Sequence, residues 1–116
     1  MEFENGQSIY NQIADNLSDK IINEEYQPGE KIPSVRELAA EVGVNPNTIM
    51  RTYTELQSKG IIENKRGIGY FVQSDAPLRI LEERKKNFFE KILPQFIKEA
   101  SQLEISPEEL KKHLNL

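Results

Sequence analysis

A chain of 116 residues has room for one small domain, or one domain with an appendage, around a modest core. It contains no cysteine, which rules out disulfides, thiol catalysis and thiolate metal sites, and no run approaches the roughly 18 apolar residues of a membrane span. The net charge of −4 argues mildly against a nucleic-acid partner, for which a basic surface is the usual expectation.

The N-terminal residues are acidic and polar, unlike a secretory leader, so a cytoplasmic location is expected. Ser8 to Glu24 reads as a first helix. Ile9, Ile13, Leu17 and Ile21 recur at every fourth position, with Tyr10 and Ala14 broadening the apolar stripe. Such a helix is expected to pack across a helix pair and complete a three-helix core. Tyr26-Gln27-Pro28-Gly29 suits a type II turn, and Lys31-Ile32 is short enough to join a hairpin as a third strand.

Residues 33 to 72 carry the clearest functional signal. Ser34 and Glu37 have the spacing of a capping box, and Val35, Leu38, Ala39 and Val42 place one apolar face on the short helix that follows. Gly43 ends it, because glycine tolerates the left-handed backbone of a helix C-terminus. Asn45 is a strong N-cap and Pro46 fits the first helical position, so a second helix starts at once and runs to about Lys59. At about 100° per residue, Ile49, Tyr53 and Leu56 fall on its core face. Asn47, Met50, Arg51, Thr54 and Ser58 lie opposite, an array of amide, guanidinium and hydroxyl groups suited to phosphates and base edges.

A hairpin is expected next, with Ile61-Ile62-Glu63 and Ile68 to Val72 flanking a turn at Asn64-Lys65-Arg66-Gly67. Lys65 and Arg66 charge its tip, while Gly67 and Gly69 allow close backbone approach. Helix, turn, helix and basic hairpin in this order read as a winged helix-turn-helix. Arg36, Arg51, Lys65 and Arg66 would then share one surface despite the acidic total.

On these residues the chain resembles the DNA-binding domain of the GntR family of bacterial transcription regulators. The resemblance rests on Pro28 to Ser34, Arg36-Glu37-Leu38-Ala39, the run Val44 to Ile49 with Arg51 and Tyr53, and Arg66 to Val72. The Val44 to Ile49 run is typical of the YtrA-like and MocR-like branches. The resemblance implies DNA contact at Ser34, Arg36, Asn45, Asn47, Thr48 and Arg51, and through the wing residues Lys65, Arg66, Gly67 and Gly69. Many members have arginines where this chain has Pro46 and Met50, so operator specificity does not transfer.

Gln73 to Pro77 reads as a boundary between a winged domain over residues 1–75 and a helical region over 76–116. In the latter, apolar residues from Leu78 to Leu103 mark a long amphipathic helix that Pro94 should kink or break. Ser106-Pro107-Glu108-Glu109 has capping-box spacing and opens a short last helix. So small a region cannot bury its own large apolar groups, and a second copy is the partner always at hand. Leu81, Phe88, Phe89, Ile92, Phe96 and Ile97 are the expected dimerisation residues, and a palindromic operator follows from a two-fold dimer. The resemblance agrees, since YtrA-like members have a short helical dimerisation region, whereas MocR-like members carry a large aminotransferase-type domain for which the chain is too short.

A small-molecule effector, where one binds, is expected between subunits or near residues 73–81, because the tail has little room for a pocket of its own. No catalytic residue, metal site or cofactor is expected. His113 is a lone near-terminal histidine, Glu82-Glu83 and Glu108-Glu109 point about 100° apart, and Gly67-Ile68-Gly69 lacks the setting of a dinucleotide loop. The expected fold class is therefore mainly α with a small β-hairpin wing. The expected function is a homodimeric repressor binding double-stranded DNA, with no membrane partner. A winged-helix protein-interaction module, which suits the acidic balance, is the alternative.

Overall fold

The computed structural model describes residues 8–116, so the acidic N-terminal stretch lies outside the described residues. The chain forms two compact units, Met1–Leu81 and Glu82–Leu116.

Among the described residues, the first unit holds three complete helices, a hairpin and the start of a fourth helix. Helix α1 (Ile9–Ile22) starts where the Ser8 hydroxyl accepts the Asn11 N–H, and it buries Ile13, Leu17 and Ile21. It stops two residues short of the expected end, since Glu24 adopts φ 64° and cannot extend a right-handed helix. Helix α2 (Val35–Val42) carries the full capping box: Ser34 Oγ accepts the Glu37 N–H at 3.1 Å and Glu37 Oε1 accepts the Ser34 N–H at 3.0 Å. Gly43 closes it in the left-handed region. Helix α3 (Pro46–Ser58) follows after Asn45, whose side-chain oxygen accepts the Asn47 N–H at 2.8 Å.

Ile49, Tyr53 and Leu56 are buried as their spacing requires, and so is Thr52. The threonine had no place in the apolar pattern. Its hydroxyl is satisfied by the Thr48 carbonyl at 3.0 Å and the Tyr10 carbonyl at 3.3 Å, which makes its burial affordable and holds the first turn of α1 against α3. Ile13, Leu38, Ile49, Tyr53, Ile62 and Val72 share one core cluster.

Strands β1 (Ile62–Lys65) and β2 (Gly69–Val72) pair antiparallel, with Lys65 opposite Gly69 and Asn64 opposite Tyr70. The turn is thus later than the sequence suggests. Asn64 belongs to the ladder, and the Ile68 N–H closes the tip on the Lys65 carbonyl at 2.8 Å, with Gly67 at φ 80°. The preceding segment adds a partial third strand through a Lys31–Phe71 bridge and an Ile32 N–H bond to the Tyr70 carbonyl. Its turn closes from the Glu30 N–H to the Gln27 carbonyl, one residue beyond the expected position, so that Gly29 takes the φ 84° site.

Helix α4 (Ala76–Asn87) carries the first unit past the expected boundary, because Ala76 and Ile80 are buried in the core cluster. In the second unit, residues 88–92 form a π-helical turn leading into α5 (Leu93–Gln102). Pro94 is the physical reason: its ring would collide with the carbonyl four residues earlier in a regular α-helix. The wider turn, in which the Leu93 N–H reaches the Phe88 carbonyl, carries the helical path past it. Helix α6 (Pro107–Leu114) opens on Ser106, whose hydroxyl accepts the Glu109 N–H at 3.2 Å. No helix among the described residues is long and apolar enough to cross a membrane.

Candidate nucleic-acid interface

The helix-turn-helix leaves α3 with one face in the core and one in solvent. Asn47, Met50, Arg51, Thr54 and Ser58 are exposed, while Ile49, Thr52, Tyr53 and Leu56 anchor the opposite side. A helix held this firmly presents its polar groups at fixed positions, which base reading requires.

Arg51 lies at the middle of that face. Its guanidinium carbon sits 4.0 Å from the centre of the Tyr10 ring, a cation–π arrangement across helices. One shallow cleft beside it is lined by Tyr10, Arg51, Thr54, Glu55 and Ser58, and another by Ile9, Tyr10, Asn47, Thr48 and Arg51. The structure therefore brings Asn47, Thr48 and Arg51 together. Tyr10 joins them, although its place in the α1 stripe suggested a core residue. It is half-buried, with its backbone tied to Thr52 and its ring turned to Arg51.

Ser34 and Arg36 are exposed at the start of α2, and Asn45 is exposed at the N-terminus of α3. Two of these polar side chains are already engaged: the Ser34 hydroxyl and the Asn45 side-chain oxygen both cap backbone N–H groups. Asn45 keeps its amide NH₂ as a donor to a ligand.

The wing is tied to α3 by aromatic contacts. The Tyr70 ring meets Tyr53 edge-on at 4.8 Å, and the Tyr70 hydroxyl lies 3.9 Å from Met50 Sδ. Arg66, Gly67 and Ile68 form the exposed tip. Lys65 is not free at the tip: its ammonium sits over the Phe71 ring at 4.4 Å. Gly69 (φ 140°) passes beneath Lys31, whose Cε would lie 2.7 Å from any added Cβ. Lys31 is thus a wing-side cation that sequence spacing alone did not place. Its signal was the short Lys31-Ile32 strand, which put a basic residue beside the hairpin.

A model of the gntR family of bacterial regulatory proteins matches residues 9–72, the segment that builds this surface. The chain belongs to the GntR family. It is 40% identical to the HTH-type transcriptional regulator YhcF of Bacillus subtilis, over 94% of this chain and 88% of that protein. To the HTH-type transcriptional repressor YtrA of the same organism it is 36% identical, over 88% of this chain and 78% of the relative. A GntR-family transcriptional regulator from Bacteroides thetaiotaomicron superposes with a TM-score of 0.82 at 42% identity, covering 93% of this chain and 94% of the other. This GntR-family chain is accordingly a winged helix-turn-helix, DNA-binding transcriptional regulator and not an enzyme. That membership decides between the two readings left open by the acidic composition.

Proposed function

We propose that this GntR-family regulator acts in the cytoplasm as a homodimeric repressor on a palindromic operator. In this reading α3 enters the major groove through Asn47, Thr48 and Arg51, with Ser34, Arg36 and Asn45 at its entrance. Lys65, Arg66, Gly67 and Gly69 follow the flanking backbone. Residues 76–116 supply the dimer contacts through Leu81, Phe88, Phe89, Ile92, Phe96 and Ile97.

The observation that carries the dimer is a mismatch between apolar content and burial. Between Glu82 and Leu116 only Ala100 is buried, whereas Phe89 is 61% exposed, Ile97 57% and Ile92 52%. A helical unit that leaves so much apolar surface in water is not stable alone. A two-fold copy covers such a face with its own equivalent. Repression is supported by the likeness to YtrA, a repressor.

The tail also has an apolar cleft of about 300 Å³ lined by Phe88, Ile92, Leu93, Phe96 and Leu114. It is larger than the tail sequence suggested, because Leu114 of α6 supplies one of its walls. Its lining offers no polar group to orient an effector, so a regulatory ligand of polar chemistry would bind between subunits or near residues 73–81.

The test combines sedimentation with fluorescence anisotropy on DNA from the protein's own upstream region. The reading expects a dimer that binds an intact palindrome and loses most affinity when one half-site is scrambled. A monomer that binds both DNAs equally would overturn it. In-vitro transcription from the same fragment should fall as protein is added, and a rise would overturn repression.

A further inference from the structure

Arg51 is the exposed cation of α3, and a four-bond side chain of this kind ordinarily samples many rotamers. Here it does not stand free. The Tyr10 ring lies 4.0 Å from its Cζ, and both clefts beside Arg51 have Tyr10 as a wall. The ring is itself fixed. Tyr10 sits in the first turn of α1, its carbonyl oxygen 3.3 Å from the Thr52 hydroxyl, and Thr52 is the residue next to Arg51 on a fully buried face of α3. The neighbouring turn of α1 is anchored by Ile13, which is completely buried.

We propose that Tyr10 is a positioning residue for DNA recognition: its ring pre-orders the Arg51 guanidinium in the geometry that meets DNA. The inference rests on Arg51 being a DNA contact. A guanidinium whose carbon lies 4.0 Å from an aromatic centroid is confined to a few rotamers, so its N–H donors are already gathered at one place for a base edge or phosphate. Arg51 therefore binds with less side-chain entropy to lose, and α1 becomes part of the recognition surface through a residue that forms no DNA hydrogen bond of its own.

Tyr10→Phe, Tyr10→Leu, Arg51→Ala and the Tyr10→Leu/Arg51→Ala pair separate the possibilities by anisotropy with operator DNA over a range of salt. Tyr10→Phe keeps the ring and should bind as the parent does. Tyr10→Leu should weaken operator binding about two- to five-fold, the scale of an exposed cation–π contact. It should leave the salt slope unchanged, because no phosphate contact is removed. In the Arg51→Ala background it should have no further effect. A side-chain NMR readout on the free protein checks the geometry without DNA: the ring-shifted Arg51 Hδ and Hε signals should persist in Tyr10→Phe and move to ordinary positions in Tyr10→Leu. Because Tyr10→Leu also alters packing, its melting temperature is measured and binding compared well below it.

An unshifted Arg51 signal in the parent overturns the proposal, as does equal loss from Tyr10→Leu with and without Arg51. Equal loss from Tyr10→Phe and Tyr10→Leu also overturns it, since the phenol oxygen would then be the active group. If Arg51→Ala binds operator like the parent, the assignment of Arg51 as a DNA contact fails, and this proposal fails with it. An effect of Arg51→Ala without one of Tyr10→Leu refutes the positioning role alone.

Discussion

The Tyr53 hydroxyl donates to the Pro33 carbonyl oxygen across 2.6 Å, joining the middle of α3 to the residue that precedes the α2 cap. The same ring receives the edge of Tyr70 from β2. One fully buried side chain thus fixes the relative positions of both helices and the wing.

Tyr53→Phe should therefore keep the packing but leave the Pro33 carbonyl without this partner, at a cost of about 1–2 kcal/mol visible in thermal or urea unfolding. Burial, the largest cause, followed by Tyr26, Tyr70, Glu37 and Glu41, raises the Tyr53 pKa above its ordinary value of 10.0. A raised folded-state pKa means the folded protein holds its proton while the unfolded chain releases it. Stability from this group is complete below pH 10.0 and is lost as pH rises toward the folded value. Tyr26 is shifted the same way, chiefly by burial and then by Glu41, and adds to the trend. Above pH 10.0, stability of the parent should fall more steeply than that of Tyr53→Phe; parallel slopes would contradict the buried, protonated hydroxyl.

The α2 capping box gives an acid-side counterpart. The Ser34 backbone N–H, and then its hydroxyl, hold the Glu37 carboxyl below its ordinary value of 4.5. A lowered pKa contributes stability that is present above pH 4.5 and lost as pH falls through the folded value. Ser34→Ala should cost about 1 kcal/mol at neutral pH as a lost N-cap. Glu37→Gln, which removes the titrating carboxyl and leaves the Ser34 cap in place, should instead give unfolding curves that converge with those of the parent in acid, and a constant gap down to about pH 3 would argue against the reciprocal pair.

The two wing glycines should respond differently to alanine. Gly67 (φ 80°) has open space where a Cβ would go, so Gly67→Ala meets backbone strain alone, about 1–2 kcal/mol. Gly69 (φ 140°) lies in a more restricted region and also beneath Lys31. Lys31 can swing aside, being the far end of a flexible chain, so the larger cost at Gly69 is conformational, about 1–3 kcal/mol. Melting temperatures should fall further for Gly69→Ala than for Gly67→Ala, and adding Lys31→Ala should not restore the loss.

Phe89 is a cleaner probe of the proposed dimer than Phe88. Phe88 lines the apolar cleft together with Leu114, while Phe89 is more exposed and meets Phe88 edge-on with ring centres 5.2 Å apart. Phe89→Asp should shift sedimentation toward monomer and weaken operator binding by more than ten-fold, as expected when two linked sites become one (roughly 10²–10⁴ at most). The far-UV helical signal should fall by no more than the share of residues 82–116, because the winged unit keeps its own core. Unchanged sedimentation would remove Phe89 from the interface.

Much of the winged domain was legible because its signals are local. Ser34 with Glu37, Gly43, and Asn45 with Pro46 act within a few residues of themselves, so their spacing alone marks where α2 ends and α3 begins. The hairpin was legible in kind but not in register: Asn-Lys-Arg-Gly suits a turn locally, yet pairing Ile62 with Val72 and Lys65 with Gly69 moves the tip onward. Pro94 announced an interruption, but a kink and a π-helical turn both relieve the same clash, and the sequence does not choose between them.

By itself, then, the sequence determined the elements, the face of α3 left polar and, through the motifs between Pro28 and Val72, the likeness to the GntR family. Tertiary structure alone decided which residues meet across elements. Tyr10 pairs with Arg51, Lys31 covers Gly69, Tyr53 reaches Pro33, and Ala76 and Ile80 belong to the first core. The reason is physical. A cap or a turn is selected by the backbone within one turn of helix, but a ring meets a guanidinium forty-one positions away only after the apolar faces between them have packed.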